Sequence, residues 1–272
     1  MPAAHIPAYL VVSVYCLFVL TLVAWVGLAS ISTTRDIFTG NLLNLDPTVE
    51  NFHALLTTNG GLRNIINTLI YVVPSCALIL LVSAPAAYAI ARFPGHANQF
   101  IEGILVFCIG IPSIIVALSV FQIVSSLGLF NSRLVLIALY VAMNVPFNTF
   151  FLISYFRTIP PSYEEAAAIE GAGPMRVFFE VILPFVRPAL TVLTIFNFIN
   201  LWNEYFLALI FANTNELQPV STWLHSTIDA MRTTGNWAGM FAAVVVAAAP
   251  TVLIYAVLAN RLIAARTSSG LK

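Results

Sequence analysis

The chain has 272 residues, of which 60% are hydrophobic and 8% charged, against about 25% charged in soluble domains. Mean hydropathy is +0.94, so too little polar surface exists to cover a soluble core. This composition argues against a soluble enzyme, a secreted disulfide scaffold and a disordered chain, and the long apolar runs do not resemble the short alternating strands of an outer-membrane barrel. The fold class expected is all-α: a polytopic membrane protein with six transmembrane helices. Charge is balanced at 11 basic and 11 acidic residues, which gives no footing for nucleic acid.

A membrane-crossing helix needs about 20 mostly apolar residues, and six stretches qualify: 9–31, 65–90, 104–124, 134–153, 185–211 and 237–258. The first is too long for the apolar part of a signal peptide and reads as an uncleaved span. The short stretch before it carries His5 but no Lys or Arg, which leaves a start further upstream open. The second contains Pro74 and Pro85. Cys16, Cys76 and Cys108 each lie inside an apolar run and read as small buried hydrophobes. With the N-terminus inside, the inner segments hold Arg92, Arg157, Arg176, Arg187, Arg261, Arg266 and Lys272, and the outer ones Arg35, Arg63, Arg133 and Arg232. Seven against four favours both termini on the cytoplasmic side. The outer loops are then 32–64, a short one near Asn131, and 212–236. No internal repeat or soluble domain breaks the chain, which reads as a single membrane domain over 1–272.

The inner loop 155–184 carries four acids and is ordered by its own signals. Ser162 followed by Glu165 has capping-box spacing. Pro160 and Pro161 stop any helix arriving from upstream. Glu165 to Glu170 forms a good helix, Gly171 suits the left-handed residue that ends one, and Gly173-Pro174 opens a second helix with proline in its first turn. That second helix is expected to run through Phe178, Phe179 and Leu183 and to stop at Pro184. The loop is thus a helix–turn–helix with apolar residues on a water-facing edge, a shape suited to docking.

Polar side chains within the spans form three stripes. Asn197, Asn200 and Glu204 stand three and four apart, within about 60° on one helix face; Asn144 and Asn148 share a face; so do Ser119, Gln122 and Ser126. Polar groups in lipid are costly, so such stripes face a cavity or another helix. One reading is an aqueous pathway, with Asn203 beside it and Trp202 available to stack on a ligand. The other is that Asn and Gln join helices, that Glu204 is solvated near the outer rim, and that Trp202 sits in the interfacial belt. The four histidines lie in separate loops, and no nucleophile–base arrangement, metal-ligand spacing or phosphate-binding loop occurs. The chain therefore does not read as an enzyme.

The inner loop also resembles a known family. Glu165-Ala166-Ala167, Gly171 four positions on, and Val181-Ile182-Leu183-Pro184 after nine more residues match the EAA signature of ABC-importer permeases. Leu127-Gly128-Leu129-Phe130-Asn131, Pro146-Phe147, Thr158-Ile159-Pro160-Pro161, Arg187-Pro188-Ala189-Leu190 and Trp202-Asn203-Glu204 are similar to the carbohydrate branch, the maltose permease G-like subunits, over about residues 60–265. Glu170 stands where that family usually has Asp, and the tail 264–272 lacks the usual Gly-rich ending.

The resemblance implies a transport subunit in which Glu164, Glu165, Ala166, Ala167, Glu170, Gly171, Ala172 and Arg176 form an ATPase-coupling loop; the polar stripes then supply Gln122, Asn144, Asn148, Asn197, Asn200, Asn203 and Glu204 as the expected lining of its substrate pathway. It implies a bacterial plasma-membrane complex with a second homologous permease, two cytoplasmic ATPase subunits and an extracellular or lipid-anchored sugar-binding protein. No cofactor would be bound by this chain; ATP and Mg would be used by the ATPase partners. Permeases for polyamine, phosphate or amino acids share the EAA loop and remain open alternatives. A secondary transporter is a further one, although it would require ionisable groups deeper in the membrane.

Overall fold

The computed structural model describes residues 6–40, 47–93 and 95–269, with side-chain surroundings given for 9–40, 47–93 and 95–257. Lys272 and His5 fall outside the described residues, and Arg261 and Arg266 outside those with described side chains. Among the described residues the chain is helical, without strands: α1 Ile6–Ser30, α2 Thr34–Thr39, α3 Glu50–His53, α4 Gly61–Arg92, α5 His96–Ile109, α6 Ser113–Ser126, α7 Arg133–Phe156, α8 Ser162–Ile169, α9 Pro174–Arg176, α10 Leu183–Trp202, α11 Phe206–Phe211, α12 Val220–Thr234 and α13 Trp237–Ser269. Among the described residues five stretches are long and apolar enough to cross a membrane: Tyr9–Ser30, Gly61–Arg92, Arg133–Phe156, Pro174–Trp202 and Trp237–Val257. Pro74 and Pro85 lie within α4 as expected.

The third expected span is not one straight helix. It is broken between α5 and α6, which meet at 96°, around Gly110, Ile111 and Pro112. Pro112 has an extended ψ of 131°, and its missing N–H removes the bond that would carry a helix through. The fifth span also differs at both ends. Pro184 does not stop the helix. A π turn, Val177–Ile182, links α9 to α10; Leu183 N–H bonds the Phe178 carbonyl, and Pro184 falls in the first turn of α10, where no donor is missed. At the other end the helix stops at Trp202, well short of residue 211.

The chain divides into two compact units. In the unit made of residues 1–65 and 220–250, the segments read as plain outer loops contain helices. Thr33 and Asp36 form a reciprocal capping box on α2. Trp223 Nε1 donates to the Asn59 carbonyl at 2.9 Å, and a Cβ at Gly61 would lie 2.7 Å from the Leu55 carbonyl, so only glycine fits there. Trp25 meets Phe241 edge to face at 5.0 Å. Cys16 is exposed, a departure from the expected buried role, whereas Cys76 is buried. Cys16 lies on α1, whose side chains are exposed along most of its length, as suits a helix surrounded by lipid.

The unit containing residues 66–219 has two apolar cores. One gathers Tyr71, Ile79, Leu136, Tyr140, Leu201 and Phe211; the other Ala87, Leu152, Phe156, Phe178, Ile182 and Val186. Polar ties mark its opposite ends. At one end, Arg157 holds Glu102 through two bonds of 2.9 and 2.7 Å, and Arg92 reaches the Ile159 carbonyl. The bonds to Glu102 push the Arg157 guanidinium further up from its ordinary range. At the other end, Arg133 donates to Asn67 Oδ1 at 2.9 Å, Asn67 donates to the Glu216 and Gln218 carbonyls, and Asn131 accepts from Asn213 N–H. The ends of α4 and α7 and the start of α5 therefore lie on one side, and the starts of α4 and α7 on the other. The bent α5–α6 pair therefore runs from the first side to the second, and counted as one broken span it brings the number of spans to six.

Candidate functional site: a helical hairpin and a polar ladder

The hairpin starts at Pro160-Pro161. The capping box expected from Ser162 and Glu165 does not form. Pro161 already has helical angles (φ −61°, ψ −22°) and occupies the cap position without a side-chain bond, which moves Ser162 into the first turn. Glu164 and Glu165 N–H groups instead bond the Pro161 carbonyl at 2.9 and 3.1 Å. Both acids sit in the first turn, at the positive end of the helix dipole. Gly171 has φ +84°. Its N–H bonds the Ala168 carbonyl and that of Ala172 the Ala167 carbonyl, both at 3.0 Å, which is the paired pattern of a Schellman turn. Gly173 is extended and Pro174 opens the second helix. Val177, Phe178 and Ile182 face inward; Ile169, Met175 and Phe179 are 87%, 70% and 52% exposed, which gives the hairpin an apolar edge. Glu165, Ala166 and Glu170 are exposed, and Ala167 and Ala172 half-buried. Arg176 pairs with Glu180 at 2.7 Å on the surface.

Glu164 behaves differently from its neighbours. Its Oε1 accepts from Arg92 Nε at 2.6 Å and its Oε2 from the Tyr88 hydroxyl at 3.2 Å. Arg92 and Tyr88 lie on α4, and nothing in the sequence marks either as a site residue; Arg92 bears there only on orientation, as one of the inner charges.

The second feature runs between α7 and α10. Tyr140, Asn144 and Asn148 stand four apart on α7, and each meets a polar partner. Asn148 and Asn197 exchange both amide bonds, at 3.0 and 2.8 Å, and both are fully buried. Asn200 Nδ2 donates to Asn144 Oδ1 at 3.2 Å, with Asn200 exposed and Asn144 half-buried. The Tyr140 hydroxyl donates to Glu204 Oε2 at 3.0 Å. The result is a three-rung ladder, sealed at one end and open at the middle rung.

Glu204 is not on the same helical face as Asn197 and Asn200, because α10 ends before it. Its Oε1 accepts from Leu207 N–H at 2.7 Å and its Oε2 from Ala208 N–H at 3.1 Å. It starts α11 and clasps α7; it is not simply a solvated rim group. Trp202 is 2% exposed and stacked on Phe198 at 5.5 Å, which makes it a packed residue and not an interfacial one. Asn203 is exposed, as is Gln122 on α6, and Gln122 stands outside the ladder. Among the described residues no cluster of His, Cys, Asp and Glu could hold a metal.

A bundle of apolar helices with an amphipathic hairpin at one end and a polar ladder inside is the build of a multi-pass membrane protein. The chain belongs to the family of binding-protein-dependent transport system inner membrane components, which matches residues 79–268. It is 32% identical over 90% of its length to the diacetylchitobiose uptake system permease protein NgcG of Streptomyces coelicolor, covering 82% of that protein. It is 29% identical over 83% of its length to the sulfoquinovosyl glycerol transport system permease protein SmoH of Agrobacterium fabrum, covering 79% of it. In fold it matches a chain of a bacterial ABC transporter involved in alginate import, with TM-score 0.82 and 23% identity over 95% of this chain and 96% of that one.

Proposed function

We propose that this permease forms half of the translocation pathway of a carbohydrate ABC importer, coupled to cytoplasmic ATPase subunits through residues 162–184. The observation that carries the coupling is the hairpin. Its Schellman turn ends the first short helix just before Gly173-Pro174 opens the second, and its edge presents Ile169, Met175 and Phe179 beside the exposed carboxylates of Glu165 and Glu170. Exposed apolar side chains on a water-facing element mark an interaction surface. A sugar or sugar derivative is the substrate class supported by the relatives, which are named for diacetylchitobiose and sulfoquinovosyl glycerol. The open middle rung, Asn144 and Asn200, offers donors and acceptors to hydroxyls without demanding a charged ligand.

On this reading the complex sits in a bacterial plasma membrane, with both termini and the hairpin cytoplasmic. It contains a second homologous permease, two ATPase subunits that use ATP and Mg, and an extracellular or lipid-anchored sugar-binding protein. Transport proceeds by alternating access, with ATP-driven closure of the ATPases shifting the bundle between states.

The test is purification of the tagged chain from its native membrane in mild detergent, with identification of what accompanies it. A second six-span permease and a P-loop ATPase are expected. Recovery alone, where a control importer stays intact, would refute the proposal. Gly171→Pro, or deletion of Glu165 to Gly171, is expected to abolish transport and coupled ATP hydrolysis while the chain still inserts, because proline cannot adopt φ +84°. Normal substrate-stimulated hydrolysis in that variant would sink the coupling assignment.

A further inference from the structure

Within the hairpin, one acid faces the wrong way for docking. Glu164 is 19% exposed and its partner Arg92 11%, whereas Glu165 and Glu170 point outward. The contact is a network and not a single bond. Arg92 Nε donates to Glu164 Oε1 at 2.6 Å and Arg92 Nη2 to the Ile159 carbonyl at 2.9 Å; the Tyr88 hydroxyl donates to Glu164 Oε2 at 3.2 Å. Tyr88 also packs edge to face on Phe156 at 5.6 Å and against Phe178 at 5.0 Å. Four elements thus meet in one network: α4 supplies both groups that bind the Glu164 carboxylate of α8, and Phe156 at the end of α7 and Phe178 of the π turn that leads into α10 pack on the Tyr88 ring. A charge-assisted pair shielded from water holds its geometry more firmly than surface pairs do. By contrast the Arg176–Glu180 pair is exposed and joins residues only four apart, from the end of α9 to the π turn, so it ties no distant element.

We infer that Glu164, Arg92 and Tyr88 form an internal brace that transmits displacement of the hairpin to α4, with Glu164 a positioning residue and not an ATPase contact. The inference rests on the hairpin being the ATPase-docking element. A rigid-body push on α8 alone would bend the Pro160-Pro161 connection; with the brace closed, the same push moves the end of α4 along with it. α4 is a 32-residue helix, so a shift at its inner end is carried along the bundle.

The test uses the intact complex in proteoliposomes. Three quantities are read: ATPase subunit retained on purification, ATP hydrolysis, and solute transport. Glu164→Gln and Arg92→Met are each expected to keep the ATPase subunit and its hydrolysis while transport per ATP falls roughly tenfold, within the usual span of coupling between sites. The double variant is expected to lose no more than either single one, since both remove the same link. Tyr88→Phe deletes one hydroxyl and leaves packing intact; it is the mild variant should the others fail to accumulate, and is expected to lower transport per ATP by about threefold. The brace is overturned if Glu164→Gln releases the ATPase subunit while Arg92→Met does not, if the double variant's losses multiply, or if Tyr88→Phe leaves the ratio unchanged. Failure of the docking reading itself shows separately, as a Gly171→Pro complex that keeps normal coupling.

Discussion

Asn148 and Asn197 satisfy each other's amide groups where no water is available, so neither can be read as a free pathway group while the other is present. Removing one partner leaves a buried carboxamide unpaired. Asn148→Leu or Asn197→Leu is expected to destabilise the chain by about 1–2 kcal/mol, read as a lower thermal midpoint of the purified complex. The double leucine variant is expected to recover most of that loss, because two apolar groups of similar size leave nothing unsatisfied. If both single variants keep the wild-type midpoint but lose transport, the pair lines the pathway and does not join helices. Asn144 and Asn200 form one bond, and Asn200 is exposed, so they keep spare hydrogen-bonding capacity. The spacing of the asparagines made their shared faces legible from sequence. Which face would close against which helix was not, because pairing of α7 with α10 depends on helix contacts far apart in the chain. The same holds for Glu164: its position in the first turn was readable, but Arg92 lies 72 residues away, and nothing local points to it.

At the scale of elements, the apolar runs predict the helices well and their interruptions poorly. Residues 185–211 look like one span because hydropathy cannot distinguish a continuous helix from two that meet at a break. The structure ends α10 at Trp202 and restarts at Phe206, and the carboxylate of Glu204 makes the restart possible by accepting two of the N–H groups that a new helix leaves unpaired. Glu204→Ala is therefore expected to cost about 1 kcal/mol of stability and to reduce transport with the complex still assembled. Glu204→Gln, which keeps an acceptor for one N–H, is expected to fall between. An unchanged thermal midpoint in Glu204→Ala would mean that α11 does not depend on this cap. Prolines show the same limit of sequence reasoning. Pro112 breaks a run, Pro146 lies inside α7, and Pro184 sits harmlessly in a first turn; the residue is identical, and only its register against the preceding carbonyls decides. Gly171 was readable because a left-handed residue before an extended Gly-Pro step leaves one local solution.

For the whole molecule, the decisive quantity is which ends of the helices share a side of the membrane. Charge counting gives an orientation but depends on every span being assigned correctly, and the bent α5–α6 pair could have been a re-entrant loop. The ties Arg157–Glu102 and Arg92–Ile159 on one side, and Arg133–Asn67 and Asn131–Asn213 on the other, fix the sidedness of that pair independently of charge. The helix α7 between them has 24 residues, about 36 Å at the usual rise, enough to separate the two sets across a bilayer. This predicts the outcome of labelling with a membrane-impermeant thiol reagent. After Cys16, Cys76 and Cys108 are replaced by Ser, single cysteines at His96→Cys and Ser162→Cys are expected to react from the same side, and Thr214→Cys from the opposite one. All three positions are exposed. With the arginine bias setting direction, the first two react only in inside-out vesicles and the third in intact cells. If His96→Cys and Thr214→Cys react from one side, the bent pair does not cross, and the chain has five spans in place of six. If the two groups stay opposite but swap sides, the crossing stands and only the direction is reversed, which would put the hairpin outside and leave it with no ATPase to reach.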